Sequence, residues 1–61
     1  MARETFEEWM RRVDREIARH CGLSHMDLAD QPYHDMYDDW VSPADAAEQA
    51  LNDEGFPFND E

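Results

Sequence analysis

A chain of 61 residues has room for one domain, and at this size folding hides only about 60% of the surface that the unfolded chain exposes. Its single cysteine, Cys21, excludes an internal disulfide, and with no secretory-signal pattern at the start the expected setting is a reducing cytoplasm. No apolar run approaches the roughly 20 residues of a membrane-spanning helix, and a formal net charge of −11 with no lysine argues against direct contact with a nucleic-acid backbone, which needs clustered basic side chains.

Thr5-Phe6-Glu7-Glu8 has the form of a capping box, a hydroxyl followed three residues later by a carboxylate, and predicts a helix start. Phe6, Trp9, Met10, Val13 and Ile17 then recur at spacings of three and four, which lines them along one face. The opposite face carries Arg11, Arg15, Arg19, Asp14 and Glu16, and Glu7–Arg11 and Glu8–Arg12 are placed as favourable i,i+4 pairs. Gly22 suits the left-handed residue that ends such a helix, and Leu23 after it is placed to fold back on Ile17 or Ala18.

Ser24-His25-Met26-Asp27 repeats the capping-box form, with Leu23 and Leu28 as a hydrophobic staple, and predicts a short helix or a single turn. Asp30-Gln31-Pro32 marks the next boundary. From Pro32, residues Tyr33, Met36, Tyr37 and Trp40 share one helical face, with Asp35, Asp38 and Asp39 elsewhere. Val41-Ser42-Pro43-Ala44-Asp45-Ala46 combines a staple, an N-cap serine, a first-turn proline and an early acid, so a fourth helix starts at Pro43. Ala44, Ala47 and Leu51, with Ala46 and Ala50 beside them, give it a face of small side chains. Gly55 closes it, Phe56 is placed to pack on Leu51, Pro57 prevents continuation, and residues 59–61 form a frayed tail.

No segment alternates as a strand. The predicted fold is therefore all-α: one domain over residues 1–61, a small compact bundle of three larger helices plus one short helix. Its expected core is Phe6, Trp9, Met10, Val13, Ile17, Leu23, Leu28, Met36, Tyr37, Leu51 and Phe56.

Thr5-Phe6-Glu7-Glu8-Trp9, Val13-Asp14, Asp27-Leu28-Ala29-Asp30 and, most specifically, Tyr37-Asp38-Asp39 through Val41-Ser42-Pro43-Ala44-Asp45-Ala46-Ala47 resemble a group of short uncharacterised bacterial and plasmid- or phage-encoded proteins. That group favours glycine between the acids and the Val-Ser-Pro, where this sequence has Trp40. The resemblance extends over nearly the whole chain and implies a small helical protein of unknown function; it carries no catalytic residues across.

Charge is unevenly placed. The five basic residues, all arginines, precede Gly22, where five acids balance them, and from Gly22 onward eleven acids stand without a base. His20, Cys21, His25 and His34 with Asp35 supply zinc-type donors. Their spacing is wrong for a site, since His20 and Cys21 diverge by about 100° around a helix and no C-x-x-C or H-x-x-x-H pair occurs; no metal or other cofactor is expected. A domain this small leaves little volume for a catalytic pocket, no glycine-rich phosphate loop is present, and an enzyme is not expected.

What remains is an interaction surface. Tyr33 and Trp40 are expected to be the more exposed of the aromatic residues after Pro32, surrounded by Asp35, Asp38, Asp39, Asp45 and Glu48 on two consecutive helices, a face that Asp53 and Glu54 extend. The sequence thus reads as a non-enzymatic interaction module or regulator for a protein with a basic or amphipathic surface, another copy of itself included. Two alternatives stand beside it: an acidic mimic of duplex DNA, of the anti-restriction or anti-CRISPR type, that inhibits a nucleic-acid-binding protein, and a small metal-binding domain.

Overall fold

A computed structural model describes residues 3–55. The elements run α1 (Phe6–Cys21), a 3₁₀ turn (His25–Asp27), α2 (Tyr33–Asp38) and α3 (Pro43–Asp53), with no strand among the described residues. Phe56 and the 59–61 tail lie outside that range.

Both ends of α1 follow from sequence chemistry. The Thr5 hydroxyl accepts the Glu8 backbone N–H at 3.1 Å while the Glu8 carboxylate accepts the Thr5 N–H at 3.1 Å, closing the capping box. At the other end Gly22 takes φ 76° and donates its N–H to the Ala18 carbonyl at 2.9 Å. The expected Glu7–Arg11 and Glu8–Arg12 pairs do not form. Glu8 is committed to the cap, and Arg12 instead reaches Glu4 at 2.7 Å, while Arg19 sits 3.4 Å from Glu16.

Asp14 also departs from the expected solvated role. Its carboxylate accepts the His25 backbone N–H at 2.8 Å and lies 2.6 Å from the His25 ring Nδ1, pinning the 3₁₀ turn to the middle of α1. Within that turn the Asp27 carboxylate accepts the Ser24 N–H at 3.1 Å.

α2 is shorter than its periodicity predicts, with six residues rather than a run reaching Trp40. The second of the three expected larger helices is thus under two turns long. α3 opens as predicted, with the Ser42 hydroxyl accepting the Asp45 N–H at 3.1 Å and Pro43 at the first position.

α3 is the principal partner of α1, and α2 and the 3₁₀ turn lie against α1 as well. The core between them comprises Trp9, Met10, Val13, Ile17, Leu28, Met36, Ala46, Ala47, Ala50 and Leu51, with Phe6, Cys21, Leu23, Tyr33, Tyr37 and Val41 half-buried around it. Ala46 and Ala50 face α1 where Ala44 was expected; Ala44 is exposed in the first turn. Small side chains on α3 let it approach a helix bearing a fully buried tryptophan. Enclosing each of Val13, Ile17 and Leu51 contributes about 1.5–3 kcal/mol, and the Trp9 indole N–H donates to the Val41 carbonyl at 2.9 Å.

Candidate interaction surface around Trp40

The turn between α2 and α3 explains why α2 stops early. Trp40 stands at φ 63°, the one non-glycine residue with positive φ among those described. Its N–H donates to the Tyr37 carbonyl at 3.0 Å and the Val41 N–H donates to the Met36 carbonyl at 3.0 Å. That pair of bonds, one reaching three residues back and the next reaching five back, is the Schellman termination, in which a left-handed residue follows the last helical turn and the next residue folds onto the core. Val41 does fold back, packing against the core that contains Met36. Glycine is the usual occupant of this position because a Cβ there crowds the following carbonyl.

The consequence is an indole held outward on a fixed backbone. Trp40 is 70% exposed, yet its turn is tied by the two helix-terminating bonds and by the Trp9 bond to Val41. Preorganisation of this kind lowers the cost of ordering a contact residue on binding. The only comparably exposed large apolar residue among those described is Met26, in the 3₁₀ turn.

Trp40 borders an aromatic cluster. Phe6 stacks on His34 with ring centroids 3.8 Å apart, and Tyr37 meets Phe6 and Trp9 edge-on at 5.5 and 5.7 Å. The Tyr37 hydroxyl donates to the Glu4 backbone carbonyl. Just ahead of it, the Arg3 guanidinium lies 3.7 Å from the Tyr37 ring centre and 3.8 Å from that of Trp40. The segment before α1 is therefore strapped across α2.

Tyr33 does not join Trp40 on a common exposed face. It is half-buried, edge-on to His25 at 5.5 Å, and its hydroxyl is enclosed without a hydrogen-bond partner among the described residues. Burial raises the phenol above its usual range, and the charges of Asp14 and Asp30 add to the shift. The reason is geometric: with Trp40 off the helix, Tyr33, Met36 and Tyr37 share the α2 face that packs on the core, Met36 buried and the two tyrosines half-buried.

The acids fall into two sets. Asp35, Asp38 and Asp39 are exposed on and after α2, the last two immediately preceding Trp40. Asp45 and Glu48 instead line an open groove of about 430 Å³ along the outer face of α3 with Gln49, Asn52 and Asp53. Asp53 accepts the Gln31 side-chain amide at 2.6 Å, and Glu54 accepts the Ala29 N–H at 2.5 Å, so both serve the packing of the segment before α2.

On the other flank, Arg12, Arg15 and Arg19 line a cleft of about 310 Å³ with Ser42 and Pro43 at the start of α3. Their i,i+3 and i,i+4 spacing reads only as a helix flank; the cleft arises from the way α3 meets it. The zinc-type donors are scattered. Cys21 Sγ donates to the Ile17 carbonyl at 3.5 Å, His25 faces Asp14, His34 stacks on Phe6, and no group of three or more His, Cys, Asp or Glu side chains converges among the described residues. No helix of the described residues is long and apolar enough to cross a membrane.

The pattern of a family of unknown function, DUF5419, matches residues 5–56. The chain belongs to this family. The match takes in both capped helices and the Trp40 turn, and it gives a family to the resemblance read from Thr5-Phe6-Glu7-Glu8-Trp9 and Val41-Ser42-Pro43. Among its relatives, the Gene 87 protein of Mycobacterium phage L5 is 40% identical over 50 residues, spanning 82% of this chain and 94% of the phage protein. The Gene 87 protein of Mycobacterium phage D29 is 38% identical over 50 residues, spanning 82% and 93%. No solved structure matches the chain.

Proposed function

We propose that this DUF5419 chain is a non-enzymatic interaction module that docks on a protein with a basic or amphipathic surface, using Trp40 as anchor and Asp35, Asp38 and Asp39 as its charged surround. The observation that carries this reading is Trp40 itself: a large apolar side chain, 70% exposed, in a left-handed backbone position that disfavours it. Exposed tryptophan on a rigid turn is the residue type that dominates binding energy at interfaces, and flanking carboxylates speed and orient encounter with a basic surface. The occurrence of both relatives in phages supports a protein of the infected cell as the partner, met inside that cell.

A mimic of duplex DNA is the weaker reading. Such a mimic needs carboxylates stepping in register over packed helices, whereas the acids here separate into the α2 set and the α3 groove, and Asp53 and Glu54 are engaged internally.

The test is quantitative capture from mycobacterial lysate on immobilised wild-type chain, Trp40→Ala, and an Asp38→Arg/Asp39→Arg double variant, each first checked for helix content. A captured protein, once purified, should lose about 30-fold or more in affinity for Trp40→Ala, the scale of a hot-spot tryptophan. It should also bind wild type less tightly as salt is raised. Binding that is indifferent to both variants removes Trp40 and the acids from the interface, and displacement of the partner by duplex DNA supports mimicry instead.

A further inference from the structure

Resting on the docking role of Trp40, we propose that the slot between the Tyr37 and Trp40 rings receives an arginine side chain of the partner, and that Arg3 is its intramolecular stand-in. The Arg3 guanidinium sits 3.7 and 3.8 Å from the two ring centres. A guanidinium is planar and weakly hydrated, and it stacks on aromatic faces, unlike a compact ammonium. Trp40 stands just beyond the end of α2 at φ 63°, and its ring and that of Tyr37 lie within reach of the same guanidinium. Asp38 and Asp39, exposed immediately before Trp40, favour a cation there.

Arg3 is held so that it can yield. Its guanidinium lies over the two rings and makes no hydrogen bond or ion pair to another of the described residues. Glu4, next to it, keeps two ties of its own, the Tyr37 hydroxyl on its carbonyl and Arg12 on its carboxylate at 2.7 Å. Arg3 can therefore swing out without unstrapping the segment from α2. A partner arginine gains the rings and loses only the competition with Arg3, which two exposed cation–π contacts set at roughly five- to thirtyfold.

The experiment titrates N-acetyl-arginine amide into wild type, Arg3→Ala and Arg3→Gln, following the Trp40 indole N–H and the Tyr37 ring by NMR. The Trp9 indole, buried and bonded to Val41, is the internal control for an intact fold. N-acetyl-lysine amide and the neutral isostere N-acetyl-citrulline amide are the comparison ligands. Saturable shifts at Trp40 and Tyr37 are expected with arginine in both Arg3 variants, about tenfold tighter than in wild type, weaker with lysine and absent with citrulline. An Arg3→Ala/Trp40→Ala chain should show none at Tyr37. Arginine and citrulline acting alike, or no saturable shift in either Arg3 variant with the Trp9 signal unchanged, overturns the slot. Those outcomes leave the docking role standing wherever Trp40→Ala still weakens partner binding by the expected factor, so the two readings fail separately.

Discussion

Replacing Trp40 by glycine and, separately, by alanine isolates the backbone on which the interaction surface rests. Both variants lose the indole and its stacking on Arg3, so those losses cancel in the comparison. What differs is the cost of φ 63°. An alanine held in the left-handed region costs about 1–2 kcal/mol, while glycine loses about 0.4–1 kcal/mol more chain entropy on folding. The balance favours Trp40→Gly over Trp40→Ala by about 1 kcal/mol. In urea denaturation followed by circular dichroism, a slope of about 1 kcal/mol per molar turns that difference into a midpoint about 1 M higher for the glycine variant. A higher midpoint for alanine would show that residue 40 does not occupy the left-handed conformation, and the outward placement of the indole would lose its explanation.

Three further perturbations probe the frame around that turn. Tyr33→Phe removes a buried hydroxyl with no partner among the described residues and should leave stability unchanged or raise it by about 1–2 kcal/mol, measured by urea melts at pH 7. The Tyr33 phenol lies above its ordinary value in the folded chain, so its contribution is fully present below pH about 10 and is lost as pH rises through the folded value; the phenylalanine variant should show a shallower alkaline decline. Trp9→Phe leaves a void and strips the Val41 carbonyl of its donor, costing about 2–4 kcal/mol, and should broaden or shift the Trp40 indole signal by NMR because Val41 belongs to the same turn. Ser42→Ala removes the cap on α3 and should cost about 1 kcal/mol in thermal melts, with no change in the salt dependence of partner binding.

Local chemistry carried most of the fold. The Thr5 and Ser42 caps, Gly22 and the apolar stripe of α1 each specify their structure through neighbours within a turn or two, and they stand where pattern reading puts them. The misses share a different origin. Trp40 continues the helical spacing of Tyr33, Met36 and Tyr37, and tryptophan gives no signal for a left-handed helix end. The termination is decided by Val41 returning to the core and by Trp9, 32 residues away, donating to the Val41 carbonyl. Asp14 and Tyr33 were misplaced for the same reason, since their partners in the 3₁₀ turn lie across a loop. Of the surface proposed here, the exposure of Trp40 and of Asp35, Asp38 and Asp39 agrees with the pattern reading, whereas Arg3 was not legible: a lone arginine ahead of a cap carries no periodicity, and the rings it covers lie more than 30 residues downstream.

The strap formed by Arg3 and Glu4 dictates how the protein should be handled. Arg3 lies over the Tyr37 and Trp40 rings, so a purification handle or fluorescent reporter fused so as to abut it would crowd the very surface proposed for docking. An apparent failure to capture a partner with such a fusion would then report on the tag rather than on the molecule.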